Sequence, residues 1–185
     1  SFKYPLFVKP ARSGSSRGTT KVKTAAELTA AVEHALTFDT KVIIEQAIIG
    51  KEIECAVLQA DGKTSASPVG EIVISDKYEF YDFQAKYLDN SMQLVSPADL
   101  PAGIEEKIQK AALLAFSAAG CEGLARIDFF YSNDDQIVIN EINTMPGFTP
   151  TSVYPKLIEK IGISYQQLIT KLIETAQKRS INVTR

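Results

Sequence analysis

Residues 123–152 constrain this chain more than any other stretch. Two apolar runs, 124–131 and 137–142, flank the polar tetrapeptide Ser132-Asn133-Asp134-Asp135. That pattern predicts a β-hairpin with a short polar turn. Polar side chains interrupt both strands where a purely structural hairpin would carry apolar ones. Arg126 and Asp128 are two residues apart, as are Glu141 and Asn143, so each pair shares one face of its strand. If the two faces coincide, two carboxylates, an amide and a guanidinium meet at one spot. Carboxylate and amide oxygens are hard ligands suited to Mg²⁺ that also holds substrate phosphates. The same residues would also suit a salt-bridge cluster on a half-exposed sheet. The segment Asn143-Thr144-Met145-Pro146-Gly147 that follows favours the first reading, because turn-formers directly after a candidate ligand suggest a loop fixed around something bound.

The rest of the chain predicts alternating strands and helices. Leu6–Lys9 reads as a short strand, followed by a Gly/Ser-rich loop through Ser13, Gly14, Ser15, Ser16 and Gly18 to about Val22. A lysine at the strand end and a glycine-rich loop suit phosphate, the lysine through charge and the loop through backbone N–H groups. The spacing is not that of a P-loop, and a plain linker is the alternative. Thr24 and Glu27 predict a capping box for a helix to Leu36, with Leu28, Ala31, Val32, Ala35 and Leu36 on its buried face. Residues 41–46 read as a strand. Glu45 and Glu52 stand where that strand ends and the next begins, placed either for a nucleoside's polar groups or simply for solvent. Asp61-Gly62 predicts a hairpin turn and 66–74 a returning strand. Residues 76–96, rich in aromatics and including Phe80, Lys86 and Tyr87, break periodicity and read as a lid or an aromatic-anchored surface loop. Helices are expected over about 103–119, 153–161 and 164–177, with Gly120 and Gly162 as stops.

Composition narrows the class. With 185 residues and a net charge of −2, the chain suits one domain or two small lobes, and nothing marks a nucleic-acid binder. No apolar run is long enough to span a bilayer, and no signal-peptide pattern opens the chain. Cys55 and Cys121 lie in apolar surroundings and are expected to be buried free thiols of a cytoplasmic protein. The chain enters a strand almost at once, as expected of a piece of a longer protein.

Five motifs in this order resemble the ATP-grasp family, and within it the D-alanine–D-alanine ligases and their relatives that make D-Ala-D-Ser or D-Ala-D-Lac. They are Phe7-Val8-Lys9-Pro10 with Gly14–Gly18; Glu45-Gln46 with Gly50-Lys51-Glu52; the run from Phe80 to Lys86-Tyr87; Arg126-Ile127-Asp128; and Asn140-Glu141-Ile142-Asn143 through Thr149. The resemblance covers nearly the whole chain. It implies an α+β fold of two lobes, 1–49 and 50–185, with mostly antiparallel sheets clasping ATP and a lid at 76–96.

The resemblance also implies roles. Lys9 would contact ATP phosphates, Ser15 and Ser16 would sit on the loop over the γ-phosphate, and Lys86 would reach phosphate from the lid. Glu45 and Glu52 would face adenine and ribose, with Phe7 and Phe80 near the purine. Asp128, Glu141 and Asn143 would ligate two Mg²⁺ ions, with Mn²⁺ an alternative. Arg126 and the Gly147 backbone would stabilise the tetrahedral intermediate, Tyr87 would hydrogen-bond near Ser15, and Ser152 would meet the second substrate's carboxylate. The implied substrates are D-alanine and a second D-amino acid, joined through an acyl phosphate for peptidoglycan precursors. The Lys86-Tyr87 pair resembles the dipeptide-forming members, whereas Pro150 and Thr151 depart from the family pattern. Family members also carry an N-terminal domain with the first D-alanine site, through which they tend to form homodimers. A nucleotide-binding module without activity and another ATP-grasp carboxylate–amine ligase are the alternatives.

Overall fold

A computed structural model of the chain describes residues 2–74 and 92–179. The Cα positions cluster into two compact units, Ser1–Ile49 with Val73–Gln93, and Gly50–Ile72 with Leu94–Arg185.

In the first unit, β1 (Leu6–Pro10) lies between β2 (Thr20–Val22) and β3 (Val42–Gln46), antiparallel to both. Strand alternation turns Leu6 and Val8 inward, where they meet Val22, Ala31 and Ala35 in a small core. Phe7 and Lys9 therefore occupy the opposite face. The strand β2 falls within the stretch expected to be loop; its Thr-Lys-Val sequence offers only one apolar side chain, too little for a periodicity to show. Helix α1 (Leu28–Leu36) follows a single 3₁₀ turn, Ala25–Glu27. The expected capping box does not form. Thr24 donates its hydroxyl to Glu27 Oε1 at 2.8 Å, and Glu27 Oε2 accepts from the Lys23 N–H at 2.9 Å instead. Leu36, expected on the buried face, is exposed, because the helix ends at that turn.

In the second unit, the strands run in the order β7 (Met92–Val95), β6 (Gly70–Ile74), β4 (Gly50–Ala60), β8 (Leu124–Ser132), β9 (Ile137–Asn143), with β5 (Lys63–Ala66) also paired to β4. The Asp61-Gly62 turn forms with both residues at positive φ, as a two-residue hairpin requires. The single returning strand expected over 66–74 is instead two strands. Pro68, which has no N–H to donate, stands at the break, and Ser67 there pairs its N–H and Oγ with the Ala56 backbone. Residues 92–95, expected within the lid, form β7; residues 76–91 of that segment lie outside the described residues.

One face of this sheet is the core. Ile53, Cys55, Val57, Ile127 and Phe129 pack against Ile104, Ile108, Ala112 and Phe116 of helix α2 (Ile104–Ala118). Each such fully buried aliphatic side chain stabilises the fold by roughly 1.5–3 kcal/mol. Cys55 is buried in that layer and free, whereas Cys121 is only half-buried. Alternation then turns Glu52, Glu54, Arg126 and Asp128 to the other face. Helices α3 (Val153–Glu159) and α4 (Tyr165–Lys178) follow the hairpin, with Tyr154 donating to the Val57 carbonyl at 3.0 Å. A capping box of Ser164 and Gln167, not anticipated from the sequence, starts α4.

Candidate nucleotide and metal site

The hairpin carries a cluster of charged and amide side chains. Register pairs Arg126 with Asn143 and Asp128 with Glu141, so the two polar faces do coincide. A bulge makes this possible. The pairing shifts between Asp128 and Phe129, whose partner is Ile139, which leaves Asn140 as the extra residue. Without it, Ile137 and Ile142, five apart, would point to opposite faces. With it, both pack against the α2 core while Glu141 and Asn143 face the charged side.

Arg126 binds Asp128 as a two-pronged fork, Nε to Oδ1 and Nη2 to Oδ2, both 2.7 Å. Asn143 Nδ2 donates to Asp128 Oδ2 at 2.9 Å and to Glu141 Oε1 at 3.2 Å. On the other side, Glu54 Oε2 lies 3.0 Å from Arg126 Nε. Asp128 is 8% exposed and Glu54 6%. Burial opposes the charge on Arg126, but the hydrogen-bonded Asp128 and the charges of Glu54, Asp128 and Glu141 outweigh it and bind the proton still more firmly.

The donor set fits a divalent cation of the magnesium type. Among the described residues no three His, Cys, Asp or Glu side chains form a metal-holding group. The site offers two carboxylates and an amide oxygen, which suits Mg²⁺, an ion that keeps several waters and shares itself with phosphate. Asn143 turns its NH₂ to the two carboxylates here; a cation on them calls for the amide to turn over and present Oδ1.

After β9 the chain turns back sharply. A Cβ on Gly147 would lie 3.0 Å from Ser152 Oγ, so these two residues are in close approach. Ser152 Oγ accepts from the Thr149 N–H at 3.1 Å and fixes the turn that starts α3. Phe148 rests between Tyr154 and Tyr165, and the Tyr165 hydroxyl donates to the Phe148 carbonyl at 2.7 Å.

In the first unit, Lys9 and Glu45 form an ion pair at 2.7 Å on the face that also carries Phe7. Ser15 and Ser16 both adopt left-handed backbone at φ 56°, which displaces the chain from any regular element. Arg12 ties the start of this loop to Asp39 through its backbone N–H at 2.8 Å and a fork of 3.0 and 2.6 Å. At its far end Gly18, at φ 77°, leaves no room for a Cβ against Phe38.

The sequence profile described as D-ala D-ala ligase C-terminus matches residues 1–174. The chain belongs to this family. The family extends through curated relatives named "D-alanine--D-alanine ligase". That of Shouchella clausii (strain KSM-K16) is 52% identical over 176 residues, covering 95% of this chain and 47% of the relative. That of Streptomyces coelicolor is 49% identical, covering 95% of this chain and 45% of the relative. Among solved structures, VanG D-Ala:D-Ser ligase from Enterococcus faecalis matches with 45% identity and a TM-score of 0.82 over 94% of this chain and 50% of that one. The D-alanine-D-alanine ligase from Coxiella burnetii matches with 38% identity and a TM-score of 0.79, over 92% and 44%. The chain thus spans about half the length of the relatives it matches. The mixed, largely antiparallel architecture is the ATP-grasp fold.

Within the family's segment, the structure brings together Arg126, Asp128, Glu141 and Asn143, places Lys9 on Glu45, and sets Gly147 against Ser152. Glu52 lies on β4 opposite Phe130 and Ile72. Phe80, Lys86 and Tyr87 lie outside the described residues. Glu54 was not anticipated. Its signal was an acid within Ile53-Glu54-Cys55-Ala56-Val57, a run otherwise of apolar residues. No described helix is long and apolar enough to cross a membrane.

Proposed function

We propose that this chain is the nucleotide- and metal-binding part of an ATP-dependent ligase joining D-alanine to a second D-amino acid, D-alanine or D-serine, in the cytoplasmic synthesis of peptidoglycan precursors. The observation that carries this reading is the Arg126–Asp128–Asn143–Glu141 cluster, with Asp128 buried at its centre and Glu141 at its exposed edge, held by strand register within a chain of this family. In the reaction the carboxylate of the first D-alanine attacks the γ-phosphorus, the bond to ADP breaks, and an acyl phosphate forms. The neutral amine of the second substrate then attacks the acyl carbon, phosphate leaves with the electron pair of the C–O bond, and the proton shed by the nitrogen goes to the departing phosphate.

Each residue has a place in this reading. Asp128, Glu141 and Asn143 would hold Mg²⁺, or Mn²⁺, whose contribution when bound is to neutralise phosphate charge. Arg126, permanently charged and fixed on both sides, supplies positive charge to the developing oxyanion. The Gly147 N–H joins it, and such donors contribute roughly 3–4 kcal/mol each. Lys9 exchanges its contact with Glu45 for ATP phosphate, leaving Glu45 for the adenine amino group; Glu52 accepts from ribose and Phe7 packs by the purine. Ser15 and Ser16 cover the γ-phosphate, and Ser152 meets the second substrate's carboxylate. Phe80, Lys86 and Tyr87 take the purine, phosphate and loop-closing roles that the family implies. The whole enzyme would be a homodimer, as the family resemblance implies.

The test grafts this chain in place of the matching half of the Shouchella clausii relative. The chimera is expected to release phosphate from ATP only when D-alanine is present, and to form D-alanyl-D-alanine or D-alanyl-D-serine. A folded chimera that binds no Mg·ADP and releases no phosphate would overturn the reading.

A further inference from the structure

We propose that Glu54 is a positioning residue for Arg126, holding the guanidinium in place when Asp128 turns to a cation; this rests on the ligase reading above. Three observations lead to it. Glu54 faces Asp128 across the β4–β8 pairing, and Asp128 faces Glu141 across β8–β9, so three carboxylates lie in one row over three strands. Arg126 Nε donates to Asp128 Oδ1 at 2.7 Å, and Glu54 Oε2 stands 3.0 Å from the same nitrogen as an ion-pair contact without hydrogen-bond geometry. Glu54 is also as buried as Asp128, in a strand where its neighbours Ile53 and Cys55 are fully buried.

A buried acid opposite another acid costs free energy unless a cation lies against both. Arg126 meets that requirement here, but its own duty conflicts with it. Asp128 cannot give both oxygens fully to Arg126 and also serve a divalent cation. As Asp128 turns to the cation, Arg126 loses part of its fork. A guanidinium released in this way would swing, and its charge would repel the incoming ion. Glu54 prevents both. It stands on the strand away from β9, retains Nε, and leaves the Nη groups free to face a reacting oxygen. Carboxylates behind a site's own ligands typically change metal affinity or activity by about 10–100-fold when removed.

Nuclear magnetic resonance of the arginine Nε–H groups in the chimera, with and without Mg·ADP, tests this, alongside kinetics. In the unsubstituted protein the Arg126 Nε–H signal is expected to stay protected from hydrogen exchange when Mg·ADP is added. In Glu54→Gln, exchange of that signal is expected to rise at least tenfold on adding Mg·ADP. The Mg²⁺ concentration for half-maximal rate should rise about tenfold while KM for D-alanine changes little. Loss of protection in the unsubstituted protein on adding Mg·ADP would overturn the proposal without any variant, so a Glu54→Gln that fails to fold does not shelter it. An unchanged Arg126 signal and Mg²⁺ dependence in Glu54→Gln, with only a lowered Tm, would also overturn it. If the unsubstituted chimera shows no Mg·ADP-induced change at any residue, the ligase reading itself fails and takes the proposal with it.

Discussion

Two arginine–aspartate forks of nearly the same geometry serve the two units in opposite ways. Arg126 grips Asp128 at 2.7 and 2.7 Å, and Arg12 grips Asp39 at 3.0 and 2.6 Å. The Arg126 side chain is 18% exposed and the Arg12 side chain 72%. The first fork is enclosed by further carboxylates and fixes a charge where chemistry is proposed. The second staples the base of a Gly/Ser loop to the turn after α1 and leaves the guanidinium in water. Hydrogen-bond lengths do not distinguish a charge fixed for catalysis from a tether; the surroundings do.

Breaking the buried fork should have the largest effect. Arg126→Ala leaves Glu54 and Asp128 buried without their cation, and is expected to cost about 3–5 kcal/mol of stability together with all turnover. Denaturant unfolding checks the first and phosphate release the second. A loss under 1 kcal/mol would mean the cluster is solvated like its exposed counterpart.

The next effect lies at the turn behind the hairpin. Tyr165→Phe removes one hydroxyl hydrogen bond to Phe148 and nothing else. It should cost about 1 kcal/mol and raise KM for the second substrate more than for ATP, because Phe148 adjoins Gly147. Equal KM changes for both substrates would assign Tyr165 to general stability.

The core beneath the hairpin makes its own prediction. Burial pushes the Cys55 thiol up to about 12. A raised thiol pKa means that the unfolded chain ionises first. The stability Cys55 contributes is therefore complete below about pH 9 and declines as pH rises towards 12. At pH 8 a disulfide reagent should modify Cys121 readily and Cys55 only on unfolding, as mass spectrometry would show. Prompt labelling of Cys55 would mean that the β4–α2 layer opens.

The smallest effect is expected at the exposed fork. The Arg12 guanidinium holds the Asp39 carboxyl well below the usual carboxylate range. A depressed acid contributes stability above its unfolded pKa and loses it as pH falls through the folded value. Arg12→Ala should move the Asp39 titration towards the ordinary range by nuclear magnetic resonance, the backbone N–H groups of residues 12 and 41 still holding it down, raise KM for ATP through a looser loop, and barely move the unfolding midpoint. A stability loss equal to that of Arg126→Ala would erase the contrast between the forks.

The legibility of these parts follows the same division. The hairpin could be read because strand geometry makes i and i+2 neighbours, so Arg126 with Asp128 and Glu141 with Asn143 declare their faces. The Asn140 bulge that aligns them could not, since alternation alone gives the residues' parity and not the register. Glu45 and Glu52 stand at strand ends, where acids are common, whereas Glu54 is an acid inside an apolar run and is the stronger signal. The break at Pro68 was written in the sequence and overridden by apolar residues on either side. Strand β2 and the solvent-facing Leu36 depend on where neighbouring elements stop, which no local pattern encodes.

The most direct test of the central claim is calorimetric titration of the chimera with Mg·ADP, compared with its Asp128→Ala variant. Binding in the first and its loss by about 100-fold or more in the second is the expected result. Equal affinity in two equally folded proteins would show that the hairpin cluster holds no metal–nucleotide complex and is a structural ion-pair network instead.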